Sequence, residues 1–213
     1  MPASELHPGV DPDDLRMPHA EPGMRIGLFG GSFNPPHEGH VLVAETALRA
    51  LRLHAVWWIV TPGNPLKDAR ELAPLADRIA ASRALLTDRR VRVTAFEAGH
   101  RLRYTADMLR LVLARRSACR FVWLMGADNL RAFHLWQEWR WIAANVPIAV
   151  IDRPGSTLAY MSSKMAIAHS RARVDEEDAA TLAGRDPPAW TFLHGPRSAQ
   201  SSSALRAAAR AGA

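Results

Sequence analysis

A short stretch near the start of the chain, GLFGGSFNPPHEGH at 27–40, concentrates residues that could bind an anion. Gly30 and Gly31 carry no side chain, so a ligand can approach their backbone closely. The two prolines that follow suit the first turn of a helix, where free N–H groups attract phosphate. His37 and His40 are three residues apart and share one face of that helix. These residue types predict a phosphate-binding turn with two histidine donors.

Three other interpretations of this stretch compete with a phosphate site. No GK[ST] follows the glycines and no GxGxxG is present, so neither the Walker loop nor the ordinary dinucleotide fingerprint fits. HEGH suggests zinc, but metalloprotease histidines are four apart and no third ligand cluster is evident. A capped helix start with incidental histidines stays open as the simplest alternative.

The elements that must position these residues alternate between strand-like and helical patterns. The strand-like runs are short, apolar and bounded by Gly, Pro or Asp, whereas the helical runs have apolar residues three and four apart. Strands are predicted at 24–31, 55–62, 91–98, 120–128 and 146–155, and helices at 37–53, 75–87, 105–116 and 132–145. A helix-like piece (158–172), a polar loop, a short strand WTFLHG (190–195) and a terminal helix from Ser201 follow.

This alternation predicts an α/β fold: a doubly wound, Rossmann-like parallel sheet with helices on both faces. In such sheets the ligands bind at the carboxyl ends of the strands, near the point where the strand order reverses. The opening stretch lies at the carboxyl end of the first predicted strand, which is where a ligand is expected.

Composition sets the frame for the domain. The chain has 213 residues, 48% of them hydrophobic, so it can bury a real core. We expect a flexible N-terminal leader over 1–23 and a single domain over 24–213. The lone cysteine, Cys119, fits a reducing cytoplasm, and no apolar run approaches the length of a membrane span. The net charge of +6 is scattered along the chain and suits small polyphosphates as well as nucleic acid.

The motifs resemble those of a known superfamily. GGSFNPPHEGH is similar to the G-[GST]-F-[DN]-P-x-H-x-G-H signature of the nucleotidyltransferases. The second signature, I-S-S-T-x-I-R, resembles QSSSALR at 200–206, in which Gln200 replaces Ile and Ser203 replaces Thr. The segment from 121 to 155 and the stretches VTPGNPLK and RYTADML resemble bacterial nicotinate-nucleotide adenylyltransferases. The resemblance covers Met24 to Arg206.

The resemblance implies a reaction that joins nicotinate mononucleotide to ATP and releases pyrophosphate, in NAD biosynthesis. The attacking atom is already a phosphate oxygen, so catalysis of this kind is mostly positioning and charge stabilisation. It implies His37, His40 and Arg206 as catalytic residues, and Mg²⁺ bound mainly through the ATP phosphates, with no protein metal site. The implied ATP-binding residues are Gly30, Gly31, Ser32, Phe33, Gly126, Asp128, Ser202 and Ser203.

For the acceptor, the resemblance implies a second set of residues. Trp136 would stack on the pyridine ring, Tyr104 and Thr105 would recognise the nicotinate carboxylate, and Asn64, Lys67 and Arg153 would contact the mononucleotide. Three residues of the two sets have plainer alternatives: Asp128 as an N-cap, Lys67 as a solvated charge and Arg153 as a surface ion-pair partner. Trp57, Trp58 and Trp123 are expected in the core.

Some expectations stay open from sequence alone. The acceptor could be nicotinamide mononucleotide or pantetheine phosphate, or the chain could be a nucleotide-binding regulator without catalysis. No nucleic-acid or membrane partner is expected, and self-association into a homo-oligomer is an open alternative. Only AAARAGA follows Arg206, whereas relatives continue through a further helical segment, so a partner subunit is one source of the missing support.

Overall fold

The fold is built on one parallel β-sheet of six strands. A computed structural model describes residues 7–63, 72–152, 162–195, 202, 205 and 206. The strands are β1 (Arg25–Gly31), β2 (Ala55–Val60), β3 (Val91–Thr94), β4 (Arg120–Gly126), β5 (Ile148–Ile151) and β6 (Trp190–Leu193). Their order across the sheet is β3-β2-β1-β4-β5-β6. The predicted doubly wound, Rossmann-like sheet is therefore confirmed.

The helices connect the strands and cover both faces of the sheet. They are α1 (Glu38–Ala50), α2 (Leu75–Leu85), α3 (Phe96–Gly99), α4 (Thr105–Arg115), α5 (Ala127–Leu130), α6 (Trp139–Asn145) and α7 (Lys164–Ala168). Three 3₁₀ helices are also present, Phe133–Leu135, Ser170–Ala172 and Glu176–Gly184, and Ser202, Leu205 and Arg206 are helical. Within these described ranges, no helix is long and apolar enough to cross a membrane.

Two hydrophobic clusters fill the space between the sheet and its helices. Successive strand residues point to opposite faces, so Trp58 packs with α1 and α2 in one cluster. Its neighbour Trp57 packs with α4 in the other. Trp57, Trp58 and Trp123 are all 0–1% exposed, which confirms them as core residues.

The reversal of strand order lies between β1 and β4, which both pair in the middle of the sheet. Beyond β1 at this edge come Ser32 and Phe33, and beyond β4 comes α5. The chain after β1 and the chain after β4 therefore flank the crevice where doubly wound sheets bind ligands.

The N-terminal segment, residues 7–23, differs from the flexible leader that we expected. Val10 and Leu15 are each only 7% exposed and belong to the core cluster of α1 and α2. The Asp14 carbonyl accepts a hydrogen bond at 2.8 Å from the N–H of Ala95, which directly follows β3. The segment is thus packed on the domain, because its apolar side chains and carbonyls find partners there.

Three local predictions also need correction. The predicted strand 91–98 ends at Thr94, and the following residues form α3. The predicted helix 132–145 is interrupted after the 3₁₀ helix, where Glu138 has φ of 54° and caps α6. The predicted polar loop contains the 3₁₀ helix Glu176–Gly184, whose buried Ala179, Leu182 and Ala183 pack on the core.

Candidate active site

The two predicted histidines lie together at the start of α1. His37 is its N-cap and is 3% exposed, whereas His40 is half-buried in the first turn. Their ring centroids are 3.8 Å apart. The His37 backbone N–H donates to His40 Nδ1 at 3.3 Å, which orients the second ring. Both imidazoles therefore stand at a helix N-terminus beside the switch point, where negative charge is favoured.

An aromatic cluster packs against the second histidine, His40. Phe33 stacks on Trp58 with ring centroids 4.2 Å apart. The His40 ring meets Phe33 edge-on at 5.0 Å and Trp58 at 6.0 Å. Phe33 has φ of 44°, a left-handed conformation that is uncommon outside glycine. The buried stacking of its ring offsets that backbone strain and fixes the turn between β1 and α1.

The two glycines at the end of β1 have a packing role that the sequence did not reveal. A Cβ on Gly30 would lie 2.8 Å from Trp123 Cη2, and one on Gly31 would lie 3.1 Å from the Phe33 ring. The sequence predicts that both glycines allow close approach of a ligand. The space is instead occupied by the protein's own rings, while contact of these backbones with ATP stays a prediction.

The terminal motif meets the opening motif in three dimensions. Ser202 Oγ donates to the Pro35 carbonyl at 2.9 Å, and Arg206 Nη1 donates to the Asn34 carbonyl at 2.6 Å. Both residues are helical and half-buried. Two signatures 160 or more residues apart in the chain thus share one turn. A hydroxyl and a guanidinium are thereby brought beside the histidine pair.

Two residues that sequence reasoning missed organise the same turn. Asn34 Oδ1 accepts from Ala73 N–H at 3.1 Å, just before α2. Arg78, on α2 and 3% exposed, donates to the carbonyls of Ala73, Ser32 and Thr61 at 2.7–2.9 Å. Asn34 stands inside the quoted motif, and Arg78 falls on the apolar face of its helix with Leu75, Ile79 and Ser82. A charged residue at a core-facing position was the available signal.

At the end of β4, the predicted Asp128 lies beside the same crevice. Gly126 is the N-cap of α5 and has no side chain to cap with, while Asp128 is exposed in the first turn. Asp128 is therefore not an N-cap, which removes the plainer alternative for this carboxylate. A contact of Asp128 with a ribose hydroxyl stays a prediction.

Three predicted acceptor residues lie in elements that pack in the second hydrophobic cluster, on the other face of the sheet from Phe33 and Trp58. Tyr104 is the N-cap of α4 and Thr105 is its first residue, both half-buried. Trp136 follows a 3₁₀ helix and is also half-buried. Its ring packs edge-on against Trp123 at 6.1 Å and Phe133 at 5.4 Å. Trp136 is thus packed against two rings but only half-buried, and its stacking on a pyridine ring stays a prediction.

Four predicted site residues lie outside the described residues: Asn64, Lys67, Arg153 and Ser203. In the ranges that are described, no group of three or more His, Cys, Asp or Glu side chains could hold a metal ion. The donors gathered at the turn are imidazole, hydroxyl and guanidinium groups, whereas Mg²⁺ prefers oxygen ligands.

Comparison with known proteins defines the class first. A family model described as cytidylyltransferase-like matches residues 28–208, most of the chain. Two solved structures of Plasmodium falciparum nicotinic acid mononucleotide adenylyltransferase, complexed with APC and with NaAD, have TM-scores of 0.64 and 0.65. Each is 16% identical, and the match covers 86% of this chain and 83% of the Plasmodium chain. This similarity supports the fold. The chain therefore belongs to the cytidylyltransferase-like family and has the nucleotidyltransferase fold.

Curated bacterial relatives narrow this class. A Mesorhizobium japonicum protein named "Probable nicotinate-nucleotide adenylyltransferase" is 61% identical over 91% of this chain and 100% of its own length. A Rhizobium meliloti protein of the same name is 64% identical over 87% of this chain and 98% of its own. The chain belongs to the nicotinate-nucleotide adenylyltransferase family.

Proposed function

We propose that this protein transfers the adenylyl group of ATP to nicotinate mononucleotide, giving nicotinate adenine dinucleotide and pyrophosphate in NAD biosynthesis. One observation carries the proposal: Ser202 and Arg206 dock on the turn that presents His37 and His40. The names of the curated relatives supply the acceptor.

The reaction needs little covalent chemistry from the protein. A phosphate oxygen of the mononucleotide attacks the α-phosphorus of ATP. The bond from that phosphorus to the oxygen that bridges the α- and β-phosphates breaks. Negative charge then builds up on the departing pyrophosphate. Fixed donors aimed at that charge lower the barrier because they need no reorganisation during the reaction.

The donors at the turn suit this task. We assign His37 and His40 to the ATP phosphates, because their rings lie 3.8 Å apart at the N-terminus of α1. Arg206 and the two serines of the terminal motif, Ser202 and Ser203, would bind the β- and γ-phosphates. The backbone from Gly30 to Phe33 would line the same phosphates, and Asp128 would accept from a ribose hydroxyl.

Magnesium fits this arrangement as a companion of ATP. The turn offers nitrogen donors and one hydroxyl, so the ion would be held through phosphate oxygens and water. When bound, it neutralises part of the phosphate charge. His37, His40 and Arg206 would then contact the oxygens that the ion leaves free.

The acceptor would occupy the space between α4 and Trp136. Trp136 would stack on the pyridine ring, and the helix start at Tyr104 and Thr105 would receive the carboxylate. Asn64, Lys67 and Arg153 stay proposals from resemblance for the mononucleotide. With a single cysteine, the protein needs no oxidising compartment, which supports a cytoplasmic location.

The decisive experiment is pyrophosphate release from ATP and Mg²⁺ with nicotinate mononucleotide, nicotinamide mononucleotide and phosphopantetheine offered in parallel. We expect release with nicotinate mononucleotide, and none above background when the acceptor is omitted. Release with another acceptor instead would keep the phosphate site and overturn the roles of Thr105 and Trp136. No release with any acceptor, from folded protein that binds ATP, would favour a nucleotide-binding regulator.

A further inference from the structure

Arg78 connects three separate segments of the chain at the edge of the candidate site. Its Nε donates to the Ala73 carbonyl at 2.9 Å. Its Nη1 donates to the Ser32 carbonyl at 2.7 Å and to the Thr61 carbonyl at 2.8 Å. Ser32 follows β1, Thr61 follows β2, and Ala73 precedes α2. One side chain therefore joins the turn after β1 to both neighbouring segments.

The burial of Arg78 makes these bonds hard to replace. The residue is 3% exposed, and burial lowers the pKa of its guanidinium to about 10. That value still leaves the group charged at neutral pH, so it remains a full set of donors. Without it, the carbonyls of Ser32, Thr61 and Ala73 would each lose a charge-assisted hydrogen bond.

The geometry needs an arginine rather than any cation. The guanidinium is a rigid planar fork with five N–H donors, so Nε and Nη1 can face different segments at once. A lysine offers donors from a single nitrogen and cannot span the same carbonyls. The neighbouring Asn34 contributes a parallel link, since its Oδ1 accepts from Ala73 N–H.

We propose that Arg78 is a positioning residue for adenylyl transfer, which holds the Ser32–Phe33 turn in register with the segments at Thr61 and Ala73. It touches no phosphate itself in this scheme. Instead it fixes the backbone that leads into His37 and His40, so its effect falls on the alignment of the donors. The inference rests on the proposed function, because the register matters only if that turn binds ATP.

The test compares Arg78→Lys and Arg78→Met with Arg89→Met, an exposed arginine before β3 at the opposite edge of the sheet. Initial rates of pyrophosphate release are measured as a function of the concentration of each substrate. The melting temperature of each variant is measured as well. We expect kcat to fall roughly 10- to 100-fold in Arg78→Met, the scale of a small misalignment. The KM for ATP should change less than kcat, Arg78→Lys should be intermediate, and Arg89→Met should match wild type.

Amide hydrogen exchange gives a second readout that does not depend on activity. Peptides containing Ser32, Thr61 and Ala73 should exchange faster in Arg78→Lys than in wild type, and should be unchanged in Arg89→Met. If wild type released no pyrophosphate, the proposed function would fail, and the exchange result would still decide whether Arg78 holds the three segments.

Three outcomes would overturn the inference. The first is a folded Arg78→Lys and Arg78→Met pair with wild-type kcat and exchange. The second is a rise in KM with unchanged kcat, because that would indicate lost ground-state binding rather than alignment. The third is failure of both variants to fold, which would make Arg78 a stability residue only.

Discussion

At the scale of single residues, the candidate site contains two imidazoles that lie closer than their sequence spacing requires. Residues three apart on a helix are neighbours, but here the first is the N-cap and the second is in the first turn. The result is a ring separation of 3.8 Å. A phosphate chain bound at α1 would receive donors from both rings and from the helix N-terminus together.

His40→Ala should remain folded and lose turnover by roughly 10²- to 10³-fold, because one donor to the developing charge is removed. The measurement is the rate of pyrophosphate release at saturating substrates, together with the melting temperature. His19→Ala is the matched control, since His19 is exposed in the N-terminal segment and lies outside the turn that carries the two histidines. A folded His40→Ala with near wild-type turnover would disprove the assignment.

Glu97 is a second residue whose environment has a measurable consequence. Its side chain lies in α3 and is 7% exposed. Burial raises the pKa of its carboxyl from the ordinary 4.5 to about 8, because the charged form is poorly solvated there. At pH 5–8 the folded protein therefore keeps a proton that the unfolded chain releases.

This proton makes stability fall as pH rises. The full contribution of neutral Glu97 is present below pH 4.5 and is lost as pH approaches about 8. The slope is at most about 1.4 kcal/mol per pH unit within that window. In urea unfolding at pH 5–8, Glu97→Gln should lose less stability with pH than wild type. Exposed Glu177→Gln should follow wild type, and parallel curves for all three proteins would refute this effect.

At the scale of elements, the N-terminal segment buttresses the chain between β3 and α4. The Asp14 carbonyl accepts from Ala95 N–H at 2.8 Å, and the Asp14 carboxylate pairs with Arg83 on α2. Thr94 Oγ1 also lies 3.1 Å from the Asp14 carbonyl oxygen. The segment thereby links α2 to the stretch of chain between β3 and α4, which precedes Tyr104 and Thr105.

Gly99→Ala should test this buttress. The new Cβ would lie 2.1 Å from the Leu15 carbonyl oxygen, a backbone atom that cannot move alone. Although alanine favours helix over glycine, we expect a loss of roughly 1–3 kcal/mol in unfolding free energy from overpacking. Trypsin should also cleave faster at Arg16 as the segment loosens.

The matched control for this change is Gly184→Ala, where a Cβ would meet nothing within 4 Å. It should match or slightly exceed wild type in unfolding free energy, with the same trypsin pattern. If Gly99→Ala behaved like Gly184→Ala in both assays, the N-terminal segment would not be supported at this position.

At the scale of the whole molecule, the site is assembled from distant parts of the chain. Arg206 reaches the Asn34 carbonyl across 172 positions. Ser202 Oγ reaches the Pro35 carbonyl across 167 positions. ATP that binds between the two motifs would hold them together and would stabilise the folded state through linkage.

Arg206→Met should therefore weaken the stabilisation that ATP and Mg²⁺ provide. Wild type should gain about 2.7 kcal/mol at an ATP concentration 100 times its Kd. A tenfold weaker affinity would reduce that gain by about 1.3 kcal/mol at the same concentration. Urea unfolding with and without ATP measures this difference. Arg185→Met, exposed after the last 3₁₀ helix, should keep the wild-type gain, and an equal gain in Arg206→Met would contradict the role.

Sequence alone determined the architecture and the general place of the site. Apolar runs of strand length that alternate with helical patterns leave few topologies, because parallel strands need right-handed crossovers. The position of the opening motif directly after the first strand then placed it at the ligand-binding edge. The resemblance of the two signatures to one family also implied that Ser202 and Arg206 act on the same ATP phosphates as the two histidines.

Only the tertiary structure decided the contacts that depend on long-range packing. It showed that Arg78 joins three carbonyls, that Gly30 makes room for Trp123, and that residues 7–23 pack on the domain. Periodicity reports which face of an element is buried, but not which atoms it meets. Those partners come from other strands and helices, so their identity exists only once the sheet has assembled.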